Sequence, residues 1–255
     1  MPQKRIGDFE IYYREKGGES VPVVFIHGAG GNGSLWGYVL KRLEGVHAFA
    51  IDLPGHGQSS WSPMDTIKGY ADVVEGFIKE VANPCILCGH SMGGAITLEL
   101  AVRNPEYLKG IILVATGAKL RVAPSVFQSI SLINETTASS LVDFMLIKKD
   151  EDLKALLRDS LLKAGAEVLK ADFTACDRFD LMDRVQEIKS PALILCGEND
   201  FMTPMKYSEF LHQKIRNSRL VPIKEAGHML MLEAPDLLSE EIVWFLKDLD
   251  EHIKA

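Results

Sequence analysis

The sequence has little that would suit a membrane or a nucleic acid. No uninterrupted apolar run in its 255 residues approaches the length that spans a bilayer. The N-terminal residues lack the apolar core of a signal peptide. A net charge of −7 at pH 7 argues against a nucleic-acid-binding surface. We therefore expect a cytoplasmic protein with neither a membrane nor a nucleic acid as partner.

Cysteine is also scarce, with four in the chain and one C-x-x-C motif, formed by Cys85 and Cys88. Such a pair can carry out redox chemistry or bind zinc. Here both lie in the apolar run PCILCG, which predicts a buried strand. Side chains three apart on a strand point to opposite faces, and no second C-x-x-C or nearby histidine pair completes a zinc site. The motif therefore predicts structural cysteines and no metal site.

What is present is the composition of an ordinary globular protein, 47% hydrophobic and 25% charged. A strand pair is predicted over residues 6–17. Six further apolar runs bounded by turn residues predict strands, at 21–28, 46–52, 84–89, 108–116, 191–197 and 218–227. Amphipathic stretches at 65–82 and 93–107 predict helices between them. This alternation is typical of an α/β fold with a mostly parallel central sheet flanked by helices.

One region breaks the alternation. Between Thr116 and Pro191, about 70 residues show helical periodicity and no clear strand, which is too long for a connecting loop. We interpret residues 119–188 as an inserted helical lid, or cap. Residues 1–118 and 189–255 then form the core domain.

The loop VVFIHGAGGNGSLW contains Gly28, Gly30 and Gly33 directly after a predicted strand, and Asp52 follows about 20 residues later. These letters match the G-x-G-x-x-G fingerprint of dinucleotide-binding proteins. A dinucleotide site needs this loop at the first strand of a βαβ unit. Here a strand pair precedes it, so the choice depends on the rest of the chain.

A second motif, G-x-S-x-G, is formed by Gly89, Ser91 and Gly93. It follows a predicted buried strand and precedes a predicted helix, which is the context that a nucleophilic serine on a tight turn requires. A serine hydroxyl needs a base, and the base needs an orienting acid. His228 follows the last predicted strand and Asp200 follows the one before it. The chain order serine, aspartate, histidine is the order expected with this type of nucleophile.

The chain resembles the α/β-hydrolase fold superfamily over nearly its whole length. The resemblance rests on HGAGG (27–31), DLPGHGQS (52–59), GHSMGG (89–94), GENDFMTP (197–204) and AGHMLMLEAP (226–235). It implies Ser91 as nucleophile, Asp200 as acid and His228 as base. It also implies an oxyanion hole made by the backbone N–H groups of Ala29 and Met92. Within the superfamily, the chain looks most like small bacterial serine carboxylesterases with a helical lid.

Several residues compete for these roles. Glu198 lies two positions before Asp200, but Asp200 matches the acid position of the G-x-x-D-x-x-x-P pattern formed with Gly197 and Pro204. His27, His56 and His90 also lie in the family motifs. Structural hydrogen bonding is the simpler interpretation of His27 and His56, and the side chain of His90 is expected to point away from Ser91. With a serine nucleophile, acid and base in place, we reject the dinucleotide interpretation and expect Asp52 to fix the DLPGHG turn.

The sequence thus predicts hydrolysis of short to medium acyl esters through an acyl-enzyme, with no cofactor and no metal. Methionines are usually core residues, but several here lie beside the predicted catalytic positions and favour an apolar acyl pocket; they belong to the set Met92, Met145, Met202, Met205, Met229 and Met231. The same serine chemistry could instead act on a thioester, a lactone or a carbon–carbon bond, or form a peroxide from a small acid. A different class also stays open: a sensor that keeps the triad to bind a small ligand. We expect a monomer or a homodimer.

Overall fold

The computed structural model describes residues 2–60 and 62–254, with side chains of the last helix described as far as Glu251. The strands are β1 (Gln3–Ile6), β2 (Phe9–Lys16), β3 (Val23–Ile26), β4 (Ala48–Ile51), β5 (Cys85–His90), β6 (Leu108–Val114), β7 (Ala192–Gly197) and β8 (Ser218–Ile223). The helices are α1 (Gly37–Arg42), α2 (Ile67–Val81), α3 (Met92–Ala101), α4 (Pro124–Ser131), α5 (Glu135–Met145), α6 (Glu151–Arg178), α7 (Met205–Lys214), α8 (Leu230–Glu233) and α9 (Pro235–Lys254).

The strands form one sheet of eight, in the order β1-β2-β4-β3-β5-β6-β7-β8. β1 and β2 pair antiparallel and β2 joins β4 antiparallel, whereas the pairs from β4 to β8 are all parallel. β3, β4, β5 and β7 are buried along their whole length, as the continuous apolar runs predict. The predicted α/β fold with a mostly parallel sheet is confirmed. Because parallel strands end at one edge, the loops after β3, β5, β7 and β8 gather there.

Two apolar layers cover the faces of the sheet. Cys85 packs in the layer that includes α2 and α3, and Cys88 packs in the layer that includes α1 and α9. The prediction that these two cysteines point to opposite faces is therefore confirmed. Among the residues that the structure describes, no helix is both long and apolar enough to cross a membrane.

Three helices, α4, α5 and α6, occupy the region between β6 and β7 that the sequence marks as helical. Asn134 caps α5 and Asp150 caps α6, each accepting from backbone N–H groups of the first turn. α6 is kinked at Gly165, whose φ of 74° interrupts the helical backbone. We keep the name inserted segment for residues 119–188; that it acts as a lid stays a prediction.

Candidate active site

Ser91 lies at the sharp turn between β5 and α3, with φ 51° and ψ −114°. A positive φ in a residue other than glycine costs about 1–3 kcal/mol and persists only where the surroundings enforce it. A Cβ on Gly89 would lie 2.1 Å from the carbonyl oxygen of Gly93, and a Cβ on Gly93 would lie 2.4 Å from that of Ile26. The two motif glycines therefore let backbone segments pass where no side chain fits.

Hydrogen bonds on both sides hold the strained turn. The Ser91 N–H donates to the carbonyl of Val114 over 3.0 Å, and the Thr116 hydroxyl donates to the Ser91 carbonyl over 2.8 Å. The same carbonyl accepts the first helical bond of α3, from Ala95. The Ser91 side chain is half-buried at the N-terminus of α3, where the helix dipole favours a developing negative charge.

The predicted base and acid are in direct contact. His228 Nδ1 lies 2.9 Å from Asp200 Oδ2, and both side chains are buried. Because an ionised carboxylate only accepts, this bond places a proton on Nδ1 and leaves Nε2 with a free lone pair. The Thr203 hydroxyl also donates to Oδ2 over 2.7 Å, and the N–H groups of Met202 and Thr203 donate to Oδ1.

These contacts keep Asp200 ionised. Burial alone would raise the pKa of its carboxyl, but the electrostatic interaction with His228 and the hydrogen bonds from His228 and Thr203 lower that pKa below its ordinary value. Glu198, the competing acid, is exposed to solvent. The structure thus brings Asp200 to His228, as the sequence predicts.

His90 makes a contact that the sequence did not predict. Its ring centroid lies 4.7 Å from that of His228, and its Nε2–H donates to the His228 carbonyl over 3.0 Å. Burial, together with the nearby His228, lowers the pKa of His90 to about 3. A neutral His90 therefore supports the backbone of the predicted base without adding a positive charge beside it.

The loop after β3 passes close to Ser91. A Cβ on Gly28 would lie 3.2 Å from Ser91 Cβ, so a side chain there would crowd the serine. His27 shapes the loop: its Nδ1–H donates to the Gly28 carbonyl over 2.8 Å, and its Nε2 accepts from Leu53 N–H over 3.0 Å. The N–H of Ala29 has no hydrogen-bond partner in the part of the chain that the structure describes. The N–H of Met92 lies in the first turn of α3, where backbone N–H groups have no acceptor within the helix.

Asp52 has the structural role that the sequence assigns to it. Its carboxylate accepts from the N–H groups of Gly33 and Gln58 and pairs with Arg14 at 2.9 Å. It is fully buried and closes the DLPGHG turn against the loop after β3. Asp52, the acidic residue of the apparent dinucleotide fingerprint, therefore forms its hydrogen bonds and ion pair within the protein.

A narrow cleft lies over this loop, and its cavity volume of about 10 Å³ leaves room for about one water molecule. Residues Gly28 to Gly31 form one wall of the cleft. Leu157 and Leu161, on helix α6 of the inserted segment, form another. Met145 and Met229 also line it, which agrees with the predicted apolar pocket. The cleft is thus enclosed partly by the core and partly by the inserted segment.

Glu233 is a buried carboxylate that no pattern in the sequence indicates. Its Oε1 accepts from the N–H groups of Ile147 and Lys148, which follow α5, and its Oε2 accepts from Gly227 N–H. The His228 N–H in turn donates to the Met145 carbonyl over 3.1 Å. The loop that carries the predicted base is therefore fastened to the inserted segment.

We expect Glu233→Ala to lower the free energy of unfolding by about 1–3 kcal/mol, the cost of orphaning one buried donor. Three backbone donors would lose their acceptor, and of these the Gly227 N–H is buried, whereas Ile147 is half-buried and Lys148 is exposed, so that water can replace the acceptor there. Glu233→Gln should cost less, because one amide oxygen still accepts while the NH2 group opposes a donor. Urea unfolding measures both, with the exposed Glu240→Ala as the matched control. A Glu233→Ala loss no larger than that of the control would contradict the anchoring role.

Comparison with known proteins identifies the family of the chain. The model of the alpha/beta hydrolase family matches residues 23–241. The pimeloyl-[acyl-carrier protein] methyl ester esterase of Neisseria meningitidis serogroup A is 27% identical over 222 residues, covering 81% of this chain and 70% of that protein.

Solved structures give the same result. The structure of a thermophilic esterase superposes with a TM-score of 0.89 at 33% identity, covering 97% of both chains. The enol-lactonase from Burkholderia xenovorans LB400 superposes with a TM-score of 0.88 at 24% identity over 96% of this chain and 100% of that one, which supports the fold alone. The chain belongs to the alpha/beta hydrolase family and resembles the bacterial esterases within it.

Proposed function

We propose that the protein is a serine hydrolase that cleaves carboxylic esters through an acyl-enzyme. The observation that carries the proposal is the buried 2.9 Å contact between His228 Nδ1 and Asp200, at the same sheet edge as the strained Ser91 turn. A base with one nitrogen fixed by a carboxylate and the other free can accept the proton of a serine hydroxyl.

In the first half of the reaction, Ser91 Oγ attacks the ester carbonyl carbon while His228 Nε2 takes its proton. The oxyanion is bound by the N–H groups of Ala29 and Met92, of which the first is free of other acceptors. His228 then protonates the leaving alcohol, and an acyl-enzyme remains. Water, deprotonated by His228, attacks the acyl group and releases the acid.

An apolar acyl group of short to medium length suits the residues that line the cleft, which would have to widen to admit it. Its walls are the glycine loop, leucines of α6 and two methionines, and it is narrow. The names of similar proteins agree with ester chemistry: one is a methyl ester esterase and another an esterase. A lactonase also shares the fold, and a lactone is an internal ester that the same steps would open.

A panel of p-nitrophenyl esters from acetate to decanoate, with an acyl thioester and a lactone, tests the proposal. We expect turnover of the esters, with highest kcat/KM at short to medium chains. Labelling of Ser91 by an organophosphate, read by mass spectrometry, is the control for an accessible nucleophile. Labelling without turnover of any ester would overturn the esterase proposal and favour a ligand sensor, while faster turnover of a thioester or lactone would reassign the substrate.

A further inference from the structure

Gly30 is held by the inserted segment on both sides of its backbone. Its N–H donates to Asp172 Oδ2 over 2.8 Å, and its carbonyl accepts from the Ser160 hydroxyl over 2.9 Å. Both partners belong to α6. Gly30 has φ +65°, and a Cβ there would lie within 3 Å of Leu161 and Leu169 side chains of the same helix. The glycine thus lets α6 press directly onto the loop that follows β3.

Asp172 is a fully buried carboxylate with three donors. Besides Gly30 N–H, its Oδ2 accepts from His56 Nε2 over 2.8 Å, and its Oδ1 accepts from the Tyr70 hydroxyl over 2.7 Å. His56 also donates through Nδ1 to the Pro54 carbonyl. The carboxylate therefore joins α6 to three separate parts of the core: the loop after β3, the DLPGHG turn and α2.

The chemistry of the cluster favours a charged His56. Burial alone would lower the pKa of His56, but the adjacent Asp172 carboxylate raises it above its ordinary value. Both ring nitrogens face acceptors, which suits an imidazolium. Burial and the same carboxylate raise the pKa of Tyr70, so its hydroxyl stays a donor. Because a buried carboxylate without partners is costly, these groups are held together.

We propose that Asp172 is a positioning residue for the oxyanion hole, so that the hole is complete only while α6 is seated on the core. This inference rests on the proposed function. The bond to Asp172 fixes the peptide between Ala29 and Gly30, and the free Ala29 N–H belongs to the preceding peptide. Without this bond, the peptide between Ala29 and Gly30 can rotate, and the direction of the Ala29 N–H is no longer fixed. Lifting of α6 to admit substrate would break both bonds to Gly30, and reseating would restore the hole.

Three variants test the proposal. Asp172→Ala removes the acceptor of Gly30 N–H and should lower kcat at least 10-fold, with KM changed less than about 3-fold, because the loss falls on the transition state. Asp172→Asn keeps one oxygen acceptor and should retain several-fold more activity than Asp172→Ala. Tyr70→Phe is the matched control: it removes one bond to the same carboxylate but leaves the Gly30 bond, so kcat should stay within about 2-fold while stability falls.

A readout independent of turnover keeps this inference separate from the proposed function. In [15N]glycine-labelled protein, the hydrogen-exchange rate of the Gly30 amide should rise at least 10-fold in Asp172→Ala and change little in Tyr70→Phe. An unchanged Gly30 exchange rate would overturn the inference whether or not the wild type hydrolyses esters. It would equally be overturned if the wild type is active and Asp172→Ala loses stability but keeps kcat. An inactive wild type with faster Gly30 exchange in Asp172→Ala would instead overturn the proposed function.

Discussion

Ser91→Ala is expected to reduce kcat for p-nitrophenyl butyrate by a factor on the order of 10⁶, as when the nucleophilic serine of a triad is removed. The substitution deletes one oxygen atom and keeps the Cβ, so the tight turn between β5 and α3 stays intact. The bonds that hold the turn use the backbone of Ser91 and the Thr116 hydroxyl. The loss would therefore report chemistry rather than unfolding.

The measurement compares initial rates for purified wild type and variant, with urea unfolding run in parallel. Ser140→Ala is the matched control, since Ser140 lies exposed on α5 and its hydroxyl donates to the carbonyl of Thr136 in the same helix. The control should keep full activity. A Ser91→Ala protein that retains more than about a hundredth of the wild-type rate would remove Ser91 from the mechanism.

Asp200→Asn is expected to lower kcat by a factor on the order of 10⁴, as in well-studied triads. The amide could place its NH2 group toward His228 Nδ1, which would then need to accept a hydrogen bond and would carry its proton on Nε2. The ring would face Ser91 with the wrong nitrogen protonated. The N–H groups of Met202 and Thr203 can still bond to the amide oxygen, so the local fold should be kept.

Glu198→Gln is the matched control for this experiment, because Glu198 lies in the same loop but is exposed. We expect its kcat to stay within about 2-fold of the wild type. If Glu198→Gln caused the large loss and Asp200→Asn did not, the acid would be Glu198 and the contact between Asp200 and His228 would have only a structural role.

Local patterns were enough to predict the framework of the site. The runs that form β3, β5 and β7 are continuously apolar because both faces of those strands are covered. Ser91 could be found because its strained turn demands glycine on both sides, and that demand leaves a readable motif. Asp200 and His228 could be found because each directly follows a predicted strand.

The contacts that tie the inserted segment to the core could not be predicted in this way. Asp172 bonds to His56 across 116 positions and to Gly30 across 142, and nothing in its helical surroundings marks it as buried. Glu233 lies five residues after His228 in a quoted motif, but its partners at Ile147 and Lys148 are more than 80 residues away. A carboxylate in an amphipathic segment predicts a solvent-facing residue, and only the packed structure shows otherwise.

The glycine loop shows how the same letters can satisfy two patterns. Gly28, Gly30, Gly33 and Asp52 fit a dinucleotide fingerprint by spacing alone. In the structure, the Asp52 carboxylate accepts from backbone N–H groups and pairs with Arg14, and side chains of α6 pack against Gly30. Both patterns need glycines because another group must come close to the backbone of the loop. The residues around the loop determine whether that group is a nucleotide phosphate or another part of the protein.

The burial of the cysteines has a practical consequence for observing the inserted segment. All four are free and lie in the interior, and burial raises the pKa of Cys85 and of Cys196 to about 12. Since maleimide dyes react with thiolates, the native cysteines should stay unlabelled in the folded protein. One cysteine introduced at Phe144, whose side chain is 66% exposed on α5, would then carry the sole fluorophore. The proposed seating and lifting of the inserted segment could then be followed by single-molecule fluorescence without first replacing any native cysteine.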